Sequence, residues 1–352
     1  MQIINRDIAN LHNIFDAVDW LYAYTSEETK ELSSLFKVQF DNSFKPLVDI
    51  INYYGDCHFS PDYYNAVYEP LVVPKNDNAV ILAFSGGKDS IASALKYKAE
   101  GKDVYLYHMR HINPALSDEW KACEECAKLL ELPLFEDNIQ LRGGKHMWME
   151  HPMKNMIIAS GALQYGIREG IGTQVAFGNY TTSVLADNVF ERCAGDCVDM
   201  WEYYENIVRR VIPNFKVLTN LKNMGETLDI VASHKDLMDV SISCLCRHSL
   251  RPYRHKWVHD KFGVDLPTHR CGSCYKCCVE YVYMADHDLI EFNKEYYQYC
   301  LSQLLRVTKA EENDARNILR LWGDFFAYPI HESKMYNDLT KVRFLRRGIK
   351  WQ

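Results

Sequence analysis

The stretch from Ala79 to Ala99, AVILAFSGGKDSIASALKYKA, constrains this chain more than any other. Ala79 to Phe84 is a short, continuously apolar run, which predicts a strand buried on both faces, as in a parallel sheet. Ser85-Gly86-Gly87-Lys88-Asp89-Ser90 follows directly, and Ile91, Leu95 and Tyr97 then begin a helical spacing. The two glycines allow a tight turn with no Cβ in the way. Such a turn aims successive backbone N–H groups and the positive end of the new helix at one point, where an anion such as phosphate can sit. A Gly-Gly turn with Ser85 or Asp89 merely capping the helix is the competing reading. The order of strand, short glycine loop and helix favours the phosphate cradle.

The motif is not GxxxxGK[ST], because its spacing is shorter. SGGKDS after an apolar strand resembles the PP-loop of the ATP pyrophosphatase superfamily. That resemblance implies cleavage of ATP between its α and β phosphates, with AMP left on an acceptor.

The rest of the chain reads as alternating strands and helices. Val104 to His108 is expected as a strand, Ser117 to Leu132 as a helix, Asn155 to Glu169 as a helix and Gly172 to Asn179 as a strand. Val198 to Val211 reads as a helix, Phe215 to Leu218 as a strand and Leu221 to Val231 as a helix. Strands separated by helices of this length imply right-handed crossovers and a parallel sheet, with ligands outside the strands' carboxyl ends. The fold class is therefore α/β: a parallel-sheet, Rossmann-like domain over 76–243, with helical extensions. Residues 1–75 form an N-terminal extension, with a helix expected from Leu11 to Tyr22, and 286–352 a helical C-terminal one. From Tyr281 to Gln352 the chain reads as helical, with Tyr283, Leu289, Phe292 and Tyr296 as expected core contacts and KVRFLRRGIKWQ as a solvated tail or packing strand.

Cysteine usage supplies the second strong signal. Cys271-Gly-Ser-Cys274-Tyr-Lys-Cys277-Cys278 contains two consecutive CxxC steps, and Cys244 and Cys246 stand upstream in SISCLCRH. Three thiolates on one turn and a fourth from a distant segment suit structural Zn²⁺. Residues 244–285 thus form a zinc-binding segment with ligands Cys271, Cys274 and Cys277. Cys244 is preferred to Cys246 as the fourth, and four thiolates leave no position open for substrate. Cys123 and Cys126 make a further CxxC, read as packing on an amphipathic helix rather than as redox or cluster ligands.

Taken together, the segments from Ala79 to Tyr281 resemble the 7-cyano-7-deazaguanine synthases. Tyr107-His-Met-Arg110-His111 is similar to that family's stretch after the second strand, and Met153-Lys154-Asn155 stands where it has Arg-Asn before a helix. Phe177-Gly178-Asn179 is similar to its strand-end Gly-x-Asn, Asp196-Cys197 to its Tyr-Pro-Asp-Cys, and SISC with CGSCYKC to its zinc site. Three features depart from the pattern. Lys88 replaces an apolar residue, Ala194-Gly195 replaces Tyr-Pro, and the segment between Cys244 and Cys271 is much longer.

The resemblance implies adenylation of a 7-deazaguanine carboxylate, then amine attack to an amide and, after a second activation, a nitrile. Ser85, Gly86, Gly87 and Ser90 would then hold the leaving pyrophosphate, Lys88 would neutralise it, and Mg²⁺ would bridge the phosphates. Asp89 would cap the helix or help hold the metal. Arg110 and Lys154 are candidates for the nucleotide phosphates, with plain surface cations as the alternative, and Gly178 is a further nucleotide-binding candidate. Asn179, Asp196 and Asp199 are candidates for a purine-like edge, Asp187 and Thr181 weaker ones, and His111 for proton relay. The implied partners are ATP, Mg²⁺, Zn²⁺ and a deazaguanine, and a homodimer is compatible with them.

Alternatives share the loop. A defence-associated relative would join a deazaguanine to a protein amine. A tRNA-thiolating or lysidine-type enzyme is suggested by Lys88 and the Cys123–Cys126 pair. A nucleotide-sensing module would not turn over. Net charge of −7 argues against a broad nucleic-acid surface, although Arg343 to Lys350 could form a local patch. No apolar run spans a bilayer and MQIINRDIANLHN lacks signal-peptide blocks, so a cytoplasmic location is expected.

Overall fold

The computed structural model describes residues 39–49, 62–73, 75–109, 117–137, 154–180, 198–244, 246 and 248–307. The apolar run folds as strand β3 (Ala79–Ala83) and the residues after its loop as helix α1 (Lys88–Ala99). β3 is the centre of a five-stranded parallel sheet. Chain order then runs β4 (Asp103–Met109), α2 (Ser117–Leu130), β5 (Leu134–Asp137), α3 (Lys154–Arg168) and β6 (Gln174–Tyr180). It continues through α4 (Val198–Arg209) to β7 (Lys216–Leu221). The sheet order is β5-β4-β3-β6-β7, so the chain builds outward on one side of β3 and then restarts on the other. That reversal, between β3 and β6, opens a crevice at the carboxyl ends of the strands.

Burial of β3 on both faces explains its unbroken apolar sequence. Val80 and Leu82 pack into one core layer and Ala79 and Ile81 into the other, as the two-residue period of a strand requires. Register is set by pairs such as Leu82 with Leu106 and Ile81 with Val175. Truncating a side chain as enclosed as Leu82 to alanine costs about 2–5 kcal/mol.

Beyond the sheet lie α5 (Met224–Ala232), α6 (Lys235–Val240), α7 (Arg251–Phe262), α8 (Tyr275–Asp286) and α9 (Lys294–Val307). Leu221, expected to open a helix, instead ends β7, because Asn223 caps α5 by accepting from the Glu226 amide at 2.9 Å. Tyr281, Tyr283, Tyr296, Cys300 and Leu301 share one core with Val80 and Leu82, so the cysteine-bearing segment and α9 pack on the same side of the sheet as α1. Phe292 is 42% exposed and packs against the buried ring of Tyr297 with centroids 5.2 Å apart.

The described part of the N-terminal extension also packs on the sheet. β1 (Gln39–Asp41) and β2 (Asp62–Tyr64) pair in parallel, and Phe40, Phe44, Leu47 and Val48 enter the second core layer beside Ile81. Asp41 is fixed by Arg210 and by the Ala66 amide at 2.6 Å. The helix expected at Leu11–Tyr22 and the tail beyond 307 lie outside the described residues. Among the described residues, no helix is long and apolar enough to cross a membrane.

Candidate functional site

The phosphate-type loop sits at the tip of β3. Phe84 still donates to Tyr107 O at 2.8 Å, continuing the ladder, and the chain then leaves the sheet at exposed Ser85. Gly86 takes φ +66°, and a Cβ there would come within 2.9 Å of the Cys123 amide on α2. Both conditions demand glycine. Gly87 is the N-cap of α1, and no side chain caps the helix. Gly87, rather than Ser85 or Asp89, thus occupies the N-cap position. Ser90 Oγ instead donates to Gly87 O at 3.0 Å, which tightens the turn.

β6 closes on this end of α1 from across the reversal point. A Cβ on Gly178 would stand 2.7 Å from both Asp89 C and Ser90 N, so this strand can pass only without a side chain. Asn179, next to it, is half-buried. The structure thus brings Ser85, Gly86, Gly87, Asp89, Ser90 and Gly178 to one place.

Lys88 is not at the mouth of the loop. It is 1% exposed, and its Nζ donates to Asp89 at 2.9 and 3.1 Å and lies 3.8 Å from Glu280 Oε1. Two carboxylates attract it inward, where low polarizability strengthens the pairing. Asp89, 34% exposed at its side chain, reaches the surface of the crevice.

Behind the loop runs Ser241-Ile242-Ser243. Ile242 N donates to Gly86 O at 2.8 Å, and Ile242 O would stand 3.0 Å from a Cβ on Gly87. Arg270 holds this segment by donating to Ser241 O at 2.6 Å and Ser241 Oγ at 3.0 Å. Arg270 also pairs with Glu280 at 2.8 Å, and Glu280 accepts from Ser243 Oγ at 2.6 Å. Arg270 and Glu280 are both buried, so each needs the other. Sequence reasoning missed this network. Its trace was two opposite charges flanking the thiols in RCGSCYKCCVEYVYM.

The same segment leads into the cysteine centre. Sγ atoms of Cys244, Cys271, Cys274 and Cys277 all lie within 4.8 Å of one another, with Cys244–Cys274 at 3.8 Å and Cys274–Cys277 at 3.5 Å. A tetrahedral Zn²⁺ with Zn–S bonds of about 2.3 Å places sulfurs about 3.8 Å apart, so the donor set fits. Backbone amides already point at these sulfurs: Cys274 N to Cys271 Sγ at 3.2 Å and Cys246 N to Cys244 Sγ at 3.3 Å. Cys246 stands outside the quartet and contributes its amide rather than its thiol.

Cys123 and Cys126 are fully buried in the sheet-side core. Cys123 Sγ lies 3.4 Å from His108 Nδ1, itself 2.8 Å from Phe84 O, so this pair packs beneath the loop. Burial pushes the Cys126 thiol up to about 12. Lys154 begins α3 and Asp199 lies in the first turn of α4. Arg110, His111, Thr181, Asp187 and Asp196 lie outside the described residues.

Fold and loop together define an α/β protein with a glycine turn at the reversal point of a parallel sheet. No family model matches the chain. A curated 7-cyano-7-deazaguanine synthase from Saccharolobus solfataricus is 33% identical over 72 residues, which is 20% of this chain and 16% of that protein. Among solved structures, a predicted subunit of a tRNA methyltransferase from Methanocaldococcus jannaschii aligns with 55% of this chain and 91% of its own, at 20% identity and TM-score 0.27. The stretch similar to that synthase spans about a sixth of the synthase's length.

Proposed function

We propose that the chain is an ATP-dependent ligase that adenylates a 7-deazaguanine-type carboxylate and passes the acyl group to an amine. The observation that carries this is the uncapped start of α1 at the tip of β3, approached by Gly178 across the sheet's reversal point. A carboxylate is a poor electrophile. Attack of its oxygen on the α-phosphorus of ATP expels pyrophosphate and yields an acyl adenylate. Amine attack then releases AMP and leaves an amide; where the amine is ammonia, adenylation of the primary amide's oxygen by a second ATP expels pyrophosphate, and loss of AMP with the two N–H protons gives the nitrile.

In this reading Ser85, Gly86, Gly87 and Ser90 donate to the departing pyrophosphate, where charge develops. Asp89 would hold Mg²⁺, which would supply charge neutralisation at the phosphates. Arg110 and Lys154 contact nucleotide phosphates, Asn179, Asp196 and Asp199 bind the purine-like edge, and His111 relays the amine's proton. Cys244, Cys271, Cys274 and Cys277 hold a structural Zn²⁺.

A second acceptor, a protein amine, is favoured by α7. This helix lies in the long segment between Cys244 and Cys271 and exposes Tyr253 (76%) and Trp257 (40%), residue types enriched at protein interfaces. Mass spectrometry of the products from ATP, Mg²⁺, ammonia and 7-carboxy-7-deazaguanine tests the proposal. An amide or nitrile supports the ammonia reaction, and a deazaguanine-bearing protein formed only with a partner supports the second. AMP without either product contradicts both.

A further inference from the structure

A carboxylate in a phosphate-binding turn poses an electrostatic problem. Asp89 opens the helix whose amides face the anion, yet its own charge repels phosphate. Lys88 lies directly beneath, donating to both Asp89 oxygens at 2.9 and 3.1 Å while almost wholly buried. Its other neighbour is Glu280 Oε1 at 3.8 Å, on the helix that carries Cys277. Glu280 cannot shift toward solvent, because Arg270 Nε and Ser243 Oγ hold its two oxygens at 2.8 and 2.6 Å.

Resting on the nucleotide-binding reading above, we infer that Lys88 is a positioning residue and not a phosphate ligand. Its ammonium, drawn inward by Glu280, balances the charge of Asp89 from below and fixes that carboxylate at the mouth of the turn. The helix bearing the cysteines thereby sets the charge of the nucleotide loop through the relay Glu280–Lys88–Asp89. A lysine that touched phosphate would have to abandon both carboxylates and leave Glu280 with Arg270 and Ser243 alone.

Calorimetric binding of Mg-ATP to the metal-replete full chain tests this through a double-mutant cycle, in which residues acting through one another are non-additive. Lys88→Met should weaken binding about tenfold with Asp89 present, and less than twofold in an Asp89→Asn background. Glu280→Gln repeats the test from the other side: a several-fold loss with Lys88 present and none in a Lys88→Met background. Zinc content and melting temperature, read on each variant, separate this from loss of fold. Equal losses in both backgrounds would overturn the relay and return Lys88 to the phosphates. A wild-type chain that binds no Mg-ATP would overturn the nucleotide reading and the relay together.

Discussion

The amide of Ile242 donates to the carbonyl of Gly86 at 2.8 Å. This single bond joins the segment entering the cysteine centre to the turn at the tip of β3. Arg270, next to Cys271, grips Ser241 on one side of Ile242, and Glu280 grips Ser243 on the other. The thiol quartet and the glycine turn are thus joined through one hydrogen-bonded assembly.

Gly178 tests how tightly the sheet confines that turn. A methyl group there meets backbone atoms of Asp89 and Ser90, which cannot rotate away. Gly178→Ala should lower stability by about 1–3 kcal/mol through overpacking. It should also weaken Mg-ATP binding, because the start of α1 must move. Wild-type affinity in this variant would mean that the nucleotide sits elsewhere.

The quartet separates Cys244 from Cys246. Cys274→Ser and Cys244→Ser should each abolish retention of about one zinc per chain, and Cys246→Ser should keep it. Metal analysis of purified protein reads this directly. Loss in the Cys246 variant and retention in the Cys244 variant would reverse the assignment.

The α2 pair should be inert. With its thiol raised to about 12 by burial, Cys126 is protonated at neutral pH and a poor nucleophile. Burial raises Cys123 in the same direction. Cys126→Ala should therefore keep full metal content, and alkylation of the native protein should spare both sulfurs. Rapid labelling at either position would point to redox chemistry instead.

Much of this was written in local sequence. The apolar run, two glycines and a following helical period specify β3, the turn and α1 with no outside contact. Two CxxC steps likewise announce the quartet. What escaped depends on distant partners. β5 is only Leu134–Asp137 at a sheet edge, too short for a periodic signal. The inward turn of Lys88 toward Glu280, far along the chain, leaves no trace in the loop's own sequence. The pairing of Arg270 with Glu280 is invisible for the same reason: charge alone says nothing of burial.

Asp41 governs acid stability of the N-terminal extension. Burial alone would raise its pKa, but hydrogen bonds from Ser43 and the Ala66 amide, with Arg210, outweigh that and hold it below the usual carboxylate range. A depressed folded-state pKa means the stabilisation is complete above the unfolded value of about 3.9 and disappears as pH falls through the folded one. Asp41→Asn should flatten the acid limb of the stability curve below about pH 4 and lower stability at neutral pH. An unchanged acid limb would show that Asp41 contributes nothing.

The nucleotide product decides the central claim. With Mg-ATP and 7-carboxy-7-deazaguanine, the wild-type chain should form AMP and pyrophosphate, and Ser85→Ala with Asp89→Asn should suppress both. ADP and inorganic phosphate as products, or full turnover by that double variant, would contradict a turn at the tip of β3 that directs attack to the α-phosphorus.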